Sequence, residues 1–205
     1  MGSSSEAAFK LRKRFKTDTR AAILEAAASA LATHPSGRVR MEDVAASAGI
    51  AVGTLYNYFE DRAALVGALL DTRTQPLLDA LDGAVAGDAP FDLRLERFVG
   101  ALAVHFETNK PLLSVLLDEE RTRGQDARAA SRRQSMLQDL TVRAERLLAE
   151  GVREGALRQG DPALYAALLV GMVRGLAASE LTGGVTRMAD AAPRLLEVFL
   201  GGTRP

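Results

Sequence analysis

Residues Met41–Phe59 read MEDVAASAGIAVGTLYNYF and carry the clearest structural signal in the chain. They consist of a short helical segment, a break at Gly49 and a second short helical segment. Glycine can adopt the left-handed backbone conformation that a tight turn between crossed helices requires. The alanines of the first segment are small enough for the two helices to cross closely. This pattern predicts a helix-turn-helix, with helices at about residues 41–48 and 52–58.

The side chains of this stretch divide into an apolar and a polar group. The apolar group can form a compact core with a preceding helix through Ile23, Leu24, Leu31, Val44, Ile50, Leu55 and Phe59. The polar group, which has no role in such a core, is Gly53, Thr54, Tyr56, Asn57 and Tyr58. Hydroxyl and carboxamide groups on one short helix suit hydrogen bonds to phosphates and base edges. A helix-turn-helix places its second helix in the major groove, so the pattern indicates a DNA-binding head.

The run AGIAVGTLYNYF, with Val44 and Ala45 before it and Arg62 and Leu65 after it, resembles the tetracycline-repressor (TetR) family of transcriptional regulators. The resemblance covers about residues 19–66 at motif level, and beyond them only the length and the helical character agree. It implies a dimeric regulator that binds operator DNA through the head and a small effector through the remainder of the chain.

The resemblance also implies roles for individual residues. Those to which it gives DNA contacts are Val52, Gly53, Thr54, Tyr56, Asn57, Tyr58 and Arg62. Thr54 and Asn57, with the backbone of the two residues before Thr54, would face the major groove. The two tyrosines would donate hydrogen bonds to phosphates, and Arg62 would add a charged phosphate contact. The alternative for the tyrosines is packing against the first helix, and both interpretations can hold if the ring packs while the hydroxyl points outward.

Three positions depart from the usual pattern of the family. Ala51 stands where a serine or threonine usually caps the recognition helix, and Arg40 stands where a threonine usually caps the second helix. Arg40 cannot cap through a side-chain oxygen, but it can pair with a phosphate. Val52 replaces a basic or polar residue, and it either belongs to the core with Leu55 and Phe59 or contacts a thymine methyl group. These departures bear on the operator sequence rather than on DNA binding itself.

The rest of the sequence predicts an all-α protein with about nine helices. Alanine, leucine, arginine and glutamate are strong helix formers, and no stretch alternates apolar and polar residues as a strand would. Residues 1–16 are expected to form a basic flexible arm, 17–62 the helix-turn-helix domain and 63–205 the effector-binding and dimerisation domain. The first helix is expected to begin near Thr17, and one helix at about residues 61–81 is expected to join the two domains.

Small residues recur every four positions near the end of the chain, at Ala163, Ala167, Gly171, Gly175 and Ser179. Such a strip lets another helix approach closely. The apolar face of the last helix, which could complete a four-helix bundle across a two-fold axis, is Met188, Ala192, Leu195 and Phe199. We therefore expect a homodimer whose interface includes Ala167, Gly171, Gly175, Ala192, Leu195 and Phe199. The alternative is that the strip packs inside its own subunit.

The position of an effector pocket is less well marked than the head. Its candidate residues are Phe98, Leu102, His105, Phe106, Leu113, Leu116, Leu117, Leu169 and Met172. Their composition favours a small apolar or amphipathic molecule. His105 lies at the edge of an apolar face, where the alternative to a ligand contact is a hydrogen-bonded core residue.

The composition of the chain excludes several classes of protein. Its 205 residues include 26 basic and 26 acidic side chains, two histidines and no cysteine. Without cysteine there is no disulfide and no sulfur-ligated metal, and we expect neither a cofactor nor a metal. The longest apolar run, Ala163–Val173, is interrupted by Arg174 and is shorter than the ~20 residues of a membrane helix. No signal-peptide core follows the basic N-terminus, so we expect a cytoplasmic protein that binds no membrane.

These observations favour a homodimeric transcriptional repressor that a small effector releases from a palindromic operator. One alternative is a regulator without an effector, or an activator. Another is a helical enzyme with a DNA-binding-like head. The sequence does not support the enzyme alternative, because it has no G-x-S-x-G motif, no glycine-rich phosphate loop and no histidine–carboxylate spacing suited to a metal.

Overall fold

The computed structural model describes residues 3–33, 40–123, 127–184 and 186–204, and within these ranges it contains eight α-helices and no strand. The helices are α1 (Ser3–Thr33), α2 (Met41–Ser47), α3 (Val52–Tyr56), α4 (Arg62–Ala86), α5 (Phe91–Arg123), α6 (Ala127–Arg153), α7 (Pro162–Leu181) and α8 (Met188–Thr203). The predicted all-α class is confirmed, and the eight described helices are close to the predicted number of about nine.

The first helix is longer than the sequence predicted. It begins at Ser3 rather than near Thr17, so the basic segment before Thr17 continues the helix of the head. The segment is rich in residues with high helix propensity. Ion pairs one turn apart, Lys10 with Glu6 at 2.8 Å and Arg14 with Asp18 at 3.9 Å, add to its helical preference.

The buried side chains form two hydrophobic cores. The first belongs to the head and consists of residues from α1, α2, α3 and the beginning of α4, together with Leu112 from α5. The second lies among α4, α5, α6, α7 and α8. Helix α4 contributes several residues to both cores, because it buries Leu65 and Leu69 in the head and Leu77 and Leu81 in the larger domain, whereas α5 adds Leu112 to the head core.

The start and the course of α4 are fixed by polar contacts. Asp61 caps the helix, since its Oδ1 accepts a hydrogen bond of 2.6 Å from the backbone N–H of Ala64. One turn before the larger core begins, Arg73 donates to both carboxylate oxygens of Glu25 on α1, each at 3.0 Å. The head is therefore joined to α4 by a bidentate ion pair as well as by its core.

The larger domain is held together by ion pairs with buried members. The guanidinium of Arg94 on α5 is buried and donates to Glu150 on α6 and, at 2.5 Å, to Glu154 directly after that helix. The ring of Phe91 occupies the space that a side chain at Gly151 would need, which explains the close approach of α5 and α6. These contacts fix the two longest helices of the domain against each other.

Glu180 joins three helices at the end of α7. Its buried carboxylate accepts a hydrogen bond from Nζ of Lys110 on α5, and Oε2 accepts one of 2.6 Å from the backbone N–H of Met188, the first residue of α8. The hydrogen bond from Lys110 lowers the pKa of Glu180, burial opposes this effect, and the bond from Met188 lowers the pKa further. The carboxylate is therefore charged in the folded protein.

We expect Glu180→Gln to lower the free energy of unfolding at neutral pH by about 1–2 kcal/mol, because Lys110 loses the charge of its partner. The pKa of Glu180 is lower in the folded than in the unfolded protein. The advantage of the wild type is therefore complete above the ordinary glutamate pKa and is lost as the pH falls through the folded-state pKa. Urea unfolding of both proteins from about pH 3 to about pH 8 measures this difference. If the difference in the free energy of unfolding between the wild type and Glu180→Gln grew as the pH fell, Glu180 would not be the stabilising carboxylate.

Candidate DNA-binding surface and effector domain

The turn between α2 and α3 depends on a glycine. Gly49 has a φ of 68°, in the left-handed region where a side chain is strained. The N–H of Gly49 donates to the carbonyl of Ala46 at 3.1 Å, and the N–H of Ile50 donates to that of Ala45 at 3.0 Å. This turn places α3 across α2 as the sequence predicted for a helix-turn-helix.

Two faces of α3 and the residues after it have different environments. Leu55 and Phe59 are buried in the core of the head. Of the predicted DNA-contacting residues, Gly53, Tyr56 and Asn57 are exposed, and Thr54, Tyr58 and Arg62, the last at the start of α4, are half-buried. No atom lies within 4 Å of the position that a Cβ on Gly53 would occupy, so the backbone there is open to a close approach. The exposed Gly53, Tyr56 and Asn57 are thus accessible from solvent, and the DNA contacts themselves stay predictions.

The tyrosines and Val52 each combine packing with exposure. Tyr56 is 48% exposed, whereas Tyr58 is half-buried and packs against the head core. Val52 is also half-buried and packs against this core, which agrees with the first of its two predicted roles. Arg40 is exposed at the N-cap position of α2 in an extended conformation and makes no capping hydrogen bond, as expected for its side chain.

Two contacts of the head have no counterpart in the sequence motif. The guanidinium of Arg20 on α1 lies 5.1 Å from the ring centroid of Phe59. Phe59 is the last of residues 52–59, which we call the reading segment. Leu112 of α5 is buried in the head core. Each joins residues that are far apart in sequence, so periodicity alone could not reveal them.

The predicted effector residues lie together, but most of them fill the core of the larger domain. Phe98, Leu102, Phe106 and Leu169 are buried there among other apolar side chains. Leu113 and Met172 are partly buried and pack at the margin of this core, and His105 is half-buried. The side chains of Leu116 and Leu117 lie outside the described residues. The first four residues therefore need movement before a ligand could contact them.

His105 has the environment of a hydrogen-bonded core residue. Nδ2 of Asn109 lies 3.2 Å from Nδ1 of His105 and donates to the carbonyl of His105 at 2.9 Å. Burial lowers the pKa of His105. The imidazole is therefore neutral near pH 7, and its Nδ1 has a polar neighbour inside the protein. This environment agrees with the alternative prediction, a hydrogen-bonded core residue.

The described residues of the larger domain line two surface grooves. One, of about 670 Å³, lies between α4 and α6 and includes Leu70, Arg132 and Met136. The other, of about 640 Å³, lies between α5 and α8 and includes Val99 and Pro193. None of the predicted effector residues lines either groove.

The two parts of the predicted dimer interface have different environments. The small-residue strip of α7 is exposed along its length, at Ala163, Ala167, Gly171, Gly175 and Ser179. In the single subunit, Ala192, Leu195 and Phe199 of α8 are buried in its own core. Their part in an interface stays a prediction, and the exposed strip of α7 offers the larger free surface.

The exposed face of α7 is unusually apolar. Leu164 is 55% exposed and Leu168 is 49% exposed. The helix has 20 residues and a mean hydropathy of 1.4 in its most apolar window, of which 22% is buried. It is thus long and apolar enough to cross a membrane, although Arg174 interrupts it. Its composition and exposure together indicate a face that another apolar surface covers.

Known families match both parts of the chain. The family described as bacterial regulatory proteins, tetR family, matches residues 23–69. The family described as tetracyclin repressor-like, C-terminal domain, matches residues 88–178. A curated relative, the nucleoid occlusion factor SlmA of Alteromonas mediterranea, is 24% identical over 173 residues, which span 84% of this chain and 88% of the relative.

Solved structures share the fold over nearly the whole chain. The complex of SmeT with triclosan superposes with a TM-score of 0.74 at 20% identity and covers 92% of each chain; SmeT is the repressor of a multidrug efflux pump of Stenotrophomonas maltophilia. A TetR transcription regulator from Haloarcula marismortui superposes with a TM-score of 0.79 at 17% identity, over 91% of this chain and 98% of the other.

Proposed function

Because the chain belongs to the TetR family of bacterial regulatory proteins, we propose that it is a homodimeric repressor that a small effector releases from a palindromic operator. The protein is a DNA-binding transcriptional regulator and not an enzyme. The observation that carries the proposal is the exposed polar face of α3. Leu55 of this helix and Phe59 after it are buried in the head core and hold the helix in place. The proposed site of action is the cytoplasm, where a bacterial operator is found.

We assign base reading and phosphate binding to different residues of the head. Thr54 and Asn57 offer a hydroxyl and a carboxamide to base edges, and the open backbone at Gly53 lets α3 enter the major groove. Tyr56, which is 48% exposed, and Arg62 at the start of α4 offer a hydroxyl and a guanidinium to phosphates. Arg40 and Tyr58 complete the proposed contacts, and Val52 adds apolar contact only through the part that the core leaves exposed.

We expect Tyr56→Phe and Arg62→Ala to weaken binding to operator and to random DNA by similar factors, since phosphates carry no sequence. Arg62→Ala should also reduce the slope of log K against log salt by about one. Thr54→Ala and Asn57→Ala should change the preference at particular base pairs by about 1–3 kcal/mol. Fluorescence anisotropy on an operator selected from a random pool measures both effects. An unchanged affinity and salt slope in Arg62→Ala would remove Arg62 from the interface.

The proposed dimer uses the exposed strip of α7. Its five small side chains would let the same helix of a second subunit approach closely, and the apolar Leu164 and Leu168 beside it would be covered. No atom lies within 4 Å of a Cβ position on Gly171 or Gly175, so the strip is free in the single subunit. A partner subunit accounts for this face better than a bilayer does, because Arg174 lies within the helix.

Gly171→Leu and Gly175→Leu should yield monomers at micromolar concentration, because a large side chain would hold the two α7 helices apart. Gly83→Leu is the matched control, since Gly83 is also an exposed helical glycine with no atom within 4 Å of its Cβ position. Sedimentation velocity should show a dimer for the wild type and for Gly83→Leu. Intact dimers in both α7 variants would place the interface elsewhere.

The proposed response to an effector passes from α6 to α4. The guanidinium of Arg132 lies in the space that a side chain at Gly67 would need, and its Nε lies 3.1 Å from Oδ1 of Asp71. Further along, Arg143 donates to both oxygens of Asp82 at 2.9 and 3.0 Å. A ligand that moves α6 would therefore disturb these contacts, which set the position of α4, and would change the separation of the two heads.

We place the effector at the margin of the larger core. Among the predicted residues whose side chains the structure describes, His105, Leu113 and Met172 are only partly buried there and form the accessible part of the set. Leu116 and Leu117 stay predicted contacts. Ligand entry would displace Phe98, Leu102, Phe106 and Leu169 from their present packing. The complex of the structurally similar SmeT with triclosan supports the choice of an apolar effector.

The experiment that tests release by a ligand is a linkage measurement. Triclosan and a metabolite library are first screened for compounds that raise the melting temperature. Operator should then weaken binding of a confirmed ligand by the same factor by which the ligand weakens operator binding, and a tenfold effect corresponds to about 1.4 kcal/mol. Met172→Ala should reduce this coupling and leave ligand-free DNA binding unchanged. Equal ligand affinity with and without operator would favour the effector-independent regulator.

A further inference from the structure

The basic residues in the first part of α1 fall into two groups that differ in their partners. Lys10 and Arg14 form ion pairs with acidic residues one turn away. Arg12, Lys13 and Lys16 are exposed, and no carboxylate of the described residues lies within 4.0 Å of their charged groups. The second group therefore carries positive charge that the neighbouring part of the protein does not neutralise.

The unpaired group lies on one side of the helix. At 3.6 residues per turn, Arg12, Lys16 and Arg20 follow one another at intervals of four, and Lys13 lies seven residues before Arg20. We call these four residues the cationic stripe. Toward the C-terminal end of α1, the same side of the helix carries apolar residues that are buried in the head core, among them Ile23, Ala27 and Leu31. The ion-paired Lys10 and Arg14 lie on the other side.

One end of the cationic stripe lies next to the reading segment of the head. Its last member, Arg20, lies over the ring of Phe59 at 5.1 Å, and Phe59 directly follows Tyr58. From Arg20 to Arg12 the helix rises by about 12 Å. From Arg20 the stripe thus extends along α1 toward the N-terminus and away from the reading segment. It lies on the side of α1 that packs against the head.

We infer that the cationic stripe is a second DNA-binding surface, which contacts the phosphate backbone beside the groove that α3 enters. This inference rests on the proposed function of the head. Duplex DNA carries one negative charge per about 1.7 Å of axis, so a stripe of about 12 Å spans several phosphates. Arginine and lysine side chains on an exposed helix can reach these phosphates without distorting the head.

A membrane surface fits the same segment less well. Phe9, Leu11 and Phe15 are 68%, 60% and 70% exposed. Phe9 lies on the side of the cationic stripe, whereas Leu11 and Phe15 lie on the opposite side. A helix that binds to a bilayer surface needs its apolar residues on one face and its charges on the other. The cations without an acidic partner, unlike the apolar residues, share one side, which favours a polyanion.

The test compares two double variants of the full chain that lose the same charges. Arg12→Ala with Lys16→Ala removes two members of the stripe, and Lys10→Ala with Arg14→Ala removes one lysine and one arginine from the other side. Binding to a random-sequence duplex is measured over a salt series. For the stripe variant we expect the slope of log K against log salt to fall by about two, with at least a tenfold loss of affinity at low salt. The control variant should keep the wild-type slope.

Each outcome decides between the stripe and the head. Equal slopes for the stripe variant and the control variant would overturn the inference while leaving the proposed function intact. Thr54→Ala with Asn57→Ala should lose operator preference but keep the wild-type slope, because the stripe is unchanged. Failure of the wild type to bind either duplex would overturn the proposed function and the inference with it. Loss of binding to phosphatidylserine vesicles in the stripe variant, with an unchanged DNA slope, would replace DNA by a membrane surface.

Discussion

The structure depends on one helix that belongs to two hydrophobic cores. Helix α4 buries Leu69 in the head and Leu81 in the larger domain, so neither domain can move far without carrying the helix with it. Pro76 lies between these two residues within the helix and cannot donate a backbone hydrogen bond. The backbone hydrogen bonding of α4 is thus interrupted between its two anchored ends, and a bend there would change the orientation of the head and shift Leu112 of α5, which is buried in the head core.

The magnitudes of the contacts around α4 favour such movement. The ion pair between Arg132 and Asp71 is partly exposed, with 36% and 60% of the side chains accessible, and pairs of this kind contribute about 0–1 kcal/mol. Exposing a buried leucine such as Leu77 costs about 1.5–3 kcal/mol. A ligand that supplies a little more than 1 kcal/mol of differential affinity can therefore break the polar contact while the apolar contacts hold. The cores keep the fold, and the polar contacts set the position of α4.

The sequence predicts the head well because its residues are local and each carries a distinct physical requirement. Gly49 needs a positive φ, Leu55 needs burial, and Tyr56 and Asn57 directly after it need exposure, so one arrangement satisfies all of them. The apolar face of the last helix has no such uniqueness, since Leu195 suits the core of its own subunit as well as that of a partner. Contacts such as Arg20 with Phe59 join distant segments, and only the packing of the helices determines them. The helical beginning of α1 was missed because basic composition suggests a flexible arm.

The burial of Leu195 also restricts how a two-fold interface can be built. With its apolar face turned inward, α8 presents Arg194, Glu197 and the 67% exposed Val198 to solvent. A four-helix bundle based on α7 would therefore have a dry centre at the small residues of α7 and a charged margin at α8. Charged margins contribute little affinity, whereas like charges placed opposite one another are costly. The α7 strip would accordingly supply most of the binding energy, and α8 would select the register in which arginine meets glutamate across the axis.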